Sequence, residues 1–478
     1  MKKTLLSISI LTITLASCSA ANSTKLSSGK SAGDISATDI PDGNIVINMA
    51  VCNYSNWYAG NDPVKAFNEA DNGYYINLVD YGEYYELETN ELGEVVTDNI
   101  GEAYASADNQ VVFDIIYEGG IDMIMNFIDD EKFISLAEKG AFADLDKFME
   151  NDTEINRNTL NSHILDLCEL NDTLYYMPLS FEVNTMYGYE EYVGDNENWT
   201  ISDMKSHWEQ MPPDSSFTSS YGENLADFVF FDLCMNCSPS FMDLEKGKCR
   251  FDSNEFIELL SFANEFPKES MIEKTEMVQG DYFLSPVIIS NFEQFHELLW
   301  NSNDPRLLSF VGYPSIDSSY SFIIPYNLFA ICAAADQKVQ QGAWEFLRYI
   351  ESADYQYDLM VPKTVEITDG EFTGIGETDS SFPLNNEAFE KRAEEILSKE
   401  DENQFISMNG VEFNVGNLTR EEYGRLIAII NNADRLYYGS AKIEYIIYEE
   451  VSKMLGGDIT PEQAAANIQN RASIMLGE

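Results

Sequence analysis

The sequence predicts an α/β fold with a mainly parallel sheet, shared among two or three domains. Three observations lead there. Between residues 45 and 140, strand-like runs alternate with helical segments, the rhythm of parallel strands joined by crossover helices. The chain has 478 residues, more than a single core normally organises. Its 27 Tyr and 28 Phe supply enough apolar surface to fill more than one interior.

The elements follow in order. Residues 1–18, MKKTLLSISILTITLASC, begin with Lys2 and Lys3 and continue in an apolar run from Leu5 to Leu15. That run is about half of the roughly 20 residues a membrane-crossing helix needs, so the segment reads as a cleavable export signal. Residues 19–43 are rich in Ser, Ala, Gly and Thr and read as a flexible tether. Ile45 to Val51, Tyr74 to Tyr81 and Val111 to Tyr117 have strand composition. Asp62 and Pro63 open a helix to Ala70 as N-cap and first-turn proline. A second helix covers Glu131 to Lys139 and stops at Gly140.

Beyond Pro178 the pattern turns more helical. Thr200 to Asp203 cap a helix to about Met211, and Asp252-Ser253 open another to Phe266. Pro286 to Ser290 read as a strand, Phe292 to Trp300 as a helix, and Asp336 to Glu351 as a helix. The last third reads as almost entirely helical, at 386–399, 419–437, 443–455 and 461–476. The final helix carries a capping box, with Thr460 as N-cap, Pro461 at N1 and Gln463 at N3. Its apolar face is Ala465, Ile468, Ala472 and Met475.

Charge and cysteine usage narrow the function. The formal net charge is −54, which repels phosphate backbones and argues against a nucleic-acid partner. Beyond the leader, no run of 18 apolar residues occurs. Cys52, Cys168, Cys234, Cys237, Cys249 and Cys332 are scattered. Cys234 and Cys237 have redox or half-zinc spacing with no second pair, so buried thiols are the default. His163, His207 and His296 form no motif. No metal or cofactor is implied, and no G-x-S-x-G, H-E-x-x-H or phosphate-binding glycine loop occurs.

Several segments, taken together and in order, carry a resemblance. They are DDEKFISLAEKGAFADLDKFMEND at 129–152, LYYMPLSFEVN at 174–184, Gly312-Tyr-Pro-Ser315, Gln341-Gly-Ala-Trp-Glu-Phe346, Ser381-Phe-Pro-Leu-Asn385, Ile446 to Glu450, and Ala464 to Arg471. The set is similar to the family 1 extracellular solute-binding lipoproteins of bacterial ABC importers, in the carbohydrate branch that resembles maltose-binding protein. Leu15-Ala16-Ser17-Cys18 resembles the bacterial lipobox, which implies lipidation at Cys18 and anchoring of the mature chain to the extracytoplasmic face of the membrane. Two acyl chains hold stably where one binds marginally.

The resemblance implies a two-lobed, type II periplasmic-binding-protein-like fold with hinge strands, closing on a small ligand by hinge motion. Expected crossings lie near Leu179, Gly312 and Ala353. Lobe 1 would then comprise 44–179 and 312–352, and lobe 2 would comprise 180–311 and 353–478. The protein would be a monomer, not an enzyme, and would deliver its ligand to permease subunits. One departure stands out. The family's Gly-Pro-Asp turn before a cleft strand is reduced, in Asn109 to Tyr117, to Asp114.

Sugar binding needs aromatic rings against C–H faces and planar polar groups for hydroxyls. In open α/β sheets such groups collect at carboxyl ends of strands. The candidate ligand-binding residues are therefore Tyr54 and Trp57 after the first strand, and Tyr117 and Glu118 after the Val111 run. Glu182 and Asn184 join them at the first crossing, with Asn291 and Phe292 after the Pro286 strand. Ordinary packing or solvent exposure is the competing reading of each, and Trp344 reads as core. The rival functions are an extracellular glycan-active hydrolase and a surface glycan-binding lipoprotein without a transporter.

Overall fold

The computed structural model describes residues 43–51, 62–82, 100–126, 130–194, 199–213, 215–218, 226, 229–243, 246–266, 268, 282–300, 307–315, 319–361, 365–369, 372–376, 381–399, 405–408, 411–414, 416–437 and 441–477. Its principal strands are β1 (Ile45–Val51), β2 (Tyr74–Asp80), β3 (Met123–Met125), β4 (Met177–Tyr189), β5 (Ser285–Ile289), β6 (Leu308–Phe310), β7 (Ser319–Ile331), β8 (Phe382–Pro383) and β9 (Ala433–Leu436). The chain divides into two compact units. Unit 1 ends at Ala143 and resumes for Phe329–Ile350; unit 2 is Asp144–Leu328 with Glu351–Glu478.

In unit 1, β1 pairs in parallel with β2 on one side and β3 on the other. The end of β7 runs antiparallel to β3, with Phe329 opposite Met125. The helix Pro63–Glu69 starts as its cap requires, the Asp62 carboxylate accepting from the Val64 and Lys65 amides at 3.0 and 3.1 Å. It buries Val64 and Phe67, and Phe67 meets Phe346 edge-on at 5.3 Å. Phe346 belongs to the helix Gln337–Ile350, whose Trp344 is core. Gly342 lets that helix lie close on β2: a Cβ there would stand 2.3 Å from the Tyr74 ring.

The run from Val111 to Tyr117 is not a strand. A helix covers Ile100–Phe113, and a π-helical turn continues it over Asp114–Glu118. Ala107 and Val111, four apart, are both buried, so the helical period wins over the strand composition read in sequence. The strand comes later, as β3, after Gly119-Gly120-Ile121-Asp122. The Asp122 carboxylate accepts from the Asn48 amide at 2.9 Å and ties β3 to β1. Asp122, not Asp114, thus directly precedes the strand.

Unit 2 is organised around β4. It pairs antiparallel with β5 and β6, and with β8 through Phe181 opposite Phe382. β7 lies on its other side, and β9 adds to β7 in parallel. An aromatic core of Trp199, Phe217, Phe251, Phe256 and Phe283 is sealed by Ala464, Ala465, Ile468 and Ala472 of the last helix, Pro461–Gly477. The capping box of that helix forms: the Thr460 amide donates to Gln463 Oε1 at 2.9 Å, and the Gln463 amide to Thr460 Oγ1 at 3.3 Å.

The last third is less uniformly helical than its composition implies. Hairpins occur at 365–376 and 405–414, and β9 ends the helix Arg420–Asn432. The segment 144–179, assigned to lobe 1 from sequence, packs within unit 2. There the Asn161 amide donates to Leu384 O at 2.8 Å, the Asn386 amide to Thr159 O at 3.0 Å, and His163 Nε2 bonds Ala433 O at 2.8 Å. The chain therefore passes between units at 143/144, 328/329 and 350/351.

Cys168, Cys234, Cys237, Cys249 and Cys332 are free thiols. Burial pushes Cys168, Cys237 and Cys332 up to about 12, so these are packing groups rather than nucleophiles. Among the described residues there is no group of three metal-ligating side chains, and no helix is long and apolar enough to cross a membrane.

Candidate ligand-binding surface

The strand alternation of β4 sorts its side chains. Phe181 and Val183 go fully into the core, while Ser180 and Glu182 are half-buried on the other face. Because Phe382 pairs with Phe181, Ser381 arrives beside Glu182 and its hydroxyl donates to Glu182 Oε1 at 3.0 Å. From β7, the Tyr326 hydroxyl also donates to this carboxylate. Burial first, and then the Glu182 charge, push that phenol well above its ordinary range. Two residues along, Asn184 is buried and accepts from the Tyr313 hydroxyl at 2.7 Å.

β4 and β8 are held in register by a buried network. Gln356 Nε2 donates to Leu179 O at 2.9 Å and also to the Glu351 carboxyl, while Gln356 Oε1 accepts from the Asn385 amide at 2.7 Å. Asn385 Nδ2 donates to Glu351 O at 2.8 Å. Glu351 itself is fully enclosed, and burial raises its carboxyl well above the usual range. Through Gln356 and Asn385 it braces β4, which carries Glu182, against the end of β8. From the other side of β8, Phe292 packs edge-on to Phe382 at 5.3 Å and to Phe389 at 5.0 Å.

The residues singled out in sequence thus take different places. Glu182 and Asn184 share one face of β4. Asn291 is the N-cap of the helix Phe292–Leu299, accepting from the Gln294 amide at 2.8 Å, and Phe292 is core. Both of these have structural employment, since a residue after a strand here begins a helix immediately. Tyr117 and Glu118 lie in unit 1 on the π-helical turn. Tyr117 is 74% exposed and its ring stands 5.3 Å from Phe113, but no strand ends there. Tyr54, Trp57 and Cys18 lie outside the described residues.

Tyr326, Ser381 and Tyr313 are partners that sequence reasoning missed. Ser381 and Tyr313 sit inside segments already quoted, yet only strand register brings Ser381 to Glu182. Tyr326 carries one local signal, lying between Pro325 and Asn327, whose φ of 53° is left-handed inside a strand. Chemically, the surface is a carboxylate oriented by two neutral hydroxyls, with lone pairs left to accept from ligand hydroxyls.

No protein-family model and no curated protein matches the chain. Solved structures do resemble it. The sugar-binding protein MalE from Xanthomonas citri aligns over 91% of this chain and 98% of its own, at 9% identity and a TM-score of 0.52. A family 1 extracellular solute-binding protein from Alicyclobacillus acidocaldarius aligns over 92% and 100%, at 12% identity and 0.49. The substrate-binding protein Lmo0181 of Listeria monocytogenes, solved with cycloalternan, aligns over 91% and 99%, at 14% identity and 0.48. At such identities the likeness to MalE establishes the fold: two-lobed α/β, of the type II periplasmic-binding-protein kind.

Proposed function

We propose that this chain, with its two-lobed type II binding-protein fold, is a lipid-anchored solute-binding protein. It captures a small ligand, a sugar or oligosaccharide, on the extracytoplasmic face of a bacterial membrane and passes it to the permease of an ABC importer. It acts as a binding protein, not an enzyme. The observation that carries the reading is Glu182, half-buried on β4 and aimed by Ser381 and Tyr326. A strand holds such a group more rigidly than a loop does, as hydroxyl recognition requires. MalE, whose fold the chain shares, is a sugar-binding protein, which supports the ligand class. The leader, with its lipobox resemblance at Cys18, supports the anchor.

The test is thermal melting of the chain lacking residues 1–18 against a panel of mono- and oligosaccharides. A ligand at about 100 times its Kd adds roughly 2.7 kcal/mol of stability, a readable rise in Tm. Glu182→Ala should abolish that rise while leaving the unliganded Tm close to wild type. No response to any sugar would overturn the ligand class. The anchor is tested separately: Cys18→Ser should release the protein from membranes, and retention would overturn lipidation.

A further inference from the structure

Several carboxylates that the fold orients carry their own cation. Arg157 serves Asp146, Asp166 and Glu169; Arg392 serves Glu293 and Glu395; Arg471 serves Glu449 and Glu450. Glu182 differs. Its partners are the hydroxyls of Ser381 and Tyr326, and among the described residues no Lys or Arg pairs with it. Its charge is therefore oriented without being neutralised. The wider chain reinforces the asymmetry, with 82 Asp and Glu against 28 Lys and Arg.

From this we infer that Glu182 sets the ligand's charge class: the site takes neutral and amino sugars and rejects phosphorylated, sulfated and uronic ones. The inference rests on the reading of Glu182 as a ligand-contacting residue. A sugar hydroxyl donates to the remaining carboxylate lone pairs at no electrostatic cost. A protonated amine at the same position gains a charge-assisted bond, the stronger kind. A phosphate or carboxylate brings a second negative charge against one that no Lys or Arg among the described residues offsets, and a half-buried position leaves that repulsion only partly screened.

The experiment titrates the chain lacking residues 1–18 with a panel of neutral sugars and the amino, uronic and 6-phosphate forms of each, at low salt and at about 0.5 M salt. Expected is binding of one neutral sugar, equal or tighter binding of its amino form, and anionic forms weaker by about tenfold or more, a gap that salt narrows. Glu182→Gln, which keeps the shape and the acceptor oxygen, should narrow the same gap at low salt. Anionic forms that bind wild type as tightly as their neutral parent would overturn the charge rule and leave the sugar reading standing. A gap unchanged in Glu182→Gln would overturn the assignment to this residue. Failure of every form to bind would remove the sugar reading itself, and this inference with it.

Discussion

Replacing Glu351 by Gln should change how stability depends on pH, with a sign fixed by burial. The carboxyl is fully enclosed, Oε1 has no hydrogen-bond partner, and the Gln356 amide bonds the other oxygen. Burial holds its folded-state pKa well above the ordinary value near 4.5. The folded chain therefore keeps a proton that the unfolded chain releases. The resulting stability is fully present below the unfolded pKa and is lost as pH rises towards the folded one. One extra proton bound in the folded state costs about 1.4 kcal/mol of stability per pH unit across that window. Above the ordinary carboxylate range the wild type should therefore lose stability through this group as pH rises. The amide introduced by Glu351→Gln cannot ionise and is nearly the shape of the neutral acid, so that loss disappears. Urea unfolding of both proteins at pH 5, 6 and 7 measures it, because every other group's contribution cancels in the difference. Stability curves that stay parallel over the whole range would refute the neutral acid.

Two further substitutions test the packing, one in each unit. Gly342→Ala puts a methyl 2.3 Å from the Tyr74 ring, so it should destabilise by about 1–3 kcal/mol through helix displacement, read as a lower Tm, although Ala is the better helix former. Phe292→Ala removes the ring behind Phe382 and should cost about 3–5 kcal/mol in denaturant unfolding while also weakening ligand binding; a loss of binding without a loss of stability would instead make Phe292 a contact residue.

Much of the fold was legible because local chemistry and tertiary demand agree. Asp62, Thr200, Ser253 and Thr460 all cap helices where the sequence places them. Trp344 reads as core, and it is buried. Agreement failed where one segment suits two kinds of element. Val111 to Tyr117 has the β-branched and aromatic composition of a strand, but Ala107 and Val111 line one buried helical face. The three-residue β3 is too short to advertise itself. At the candidate surface, Glu182 was singled out from its place at the first expected crossing. Its partners were not, because Ser381 is 199 positions away and only the Phe181–Phe382 register joins them. Asn291 and Phe292 are ambiguous for a related reason: amide and aromatic residues after a strand suit a ligand, a helix cap and a core equally, and here they cap a helix and enter the core.

The three passages of the chain between its units bear on how the protein comes to be made. The sheet of unit 1 takes its edge beside β3 from Phe329–Ile331, and its cover over β1 and β2 from Gln337–Ile350. Nearly 200 residues of unit 2 intervene between Ala143 and that material. An N-terminal fragment ending anywhere before Phe329 therefore exposes the apolar face that Phe346 and Trp344 should bury. During synthesis, the first half of the chain must be kept from sticking to its neighbours until the second half supplies its lid. Such long-range closure is slow and open to aggregation.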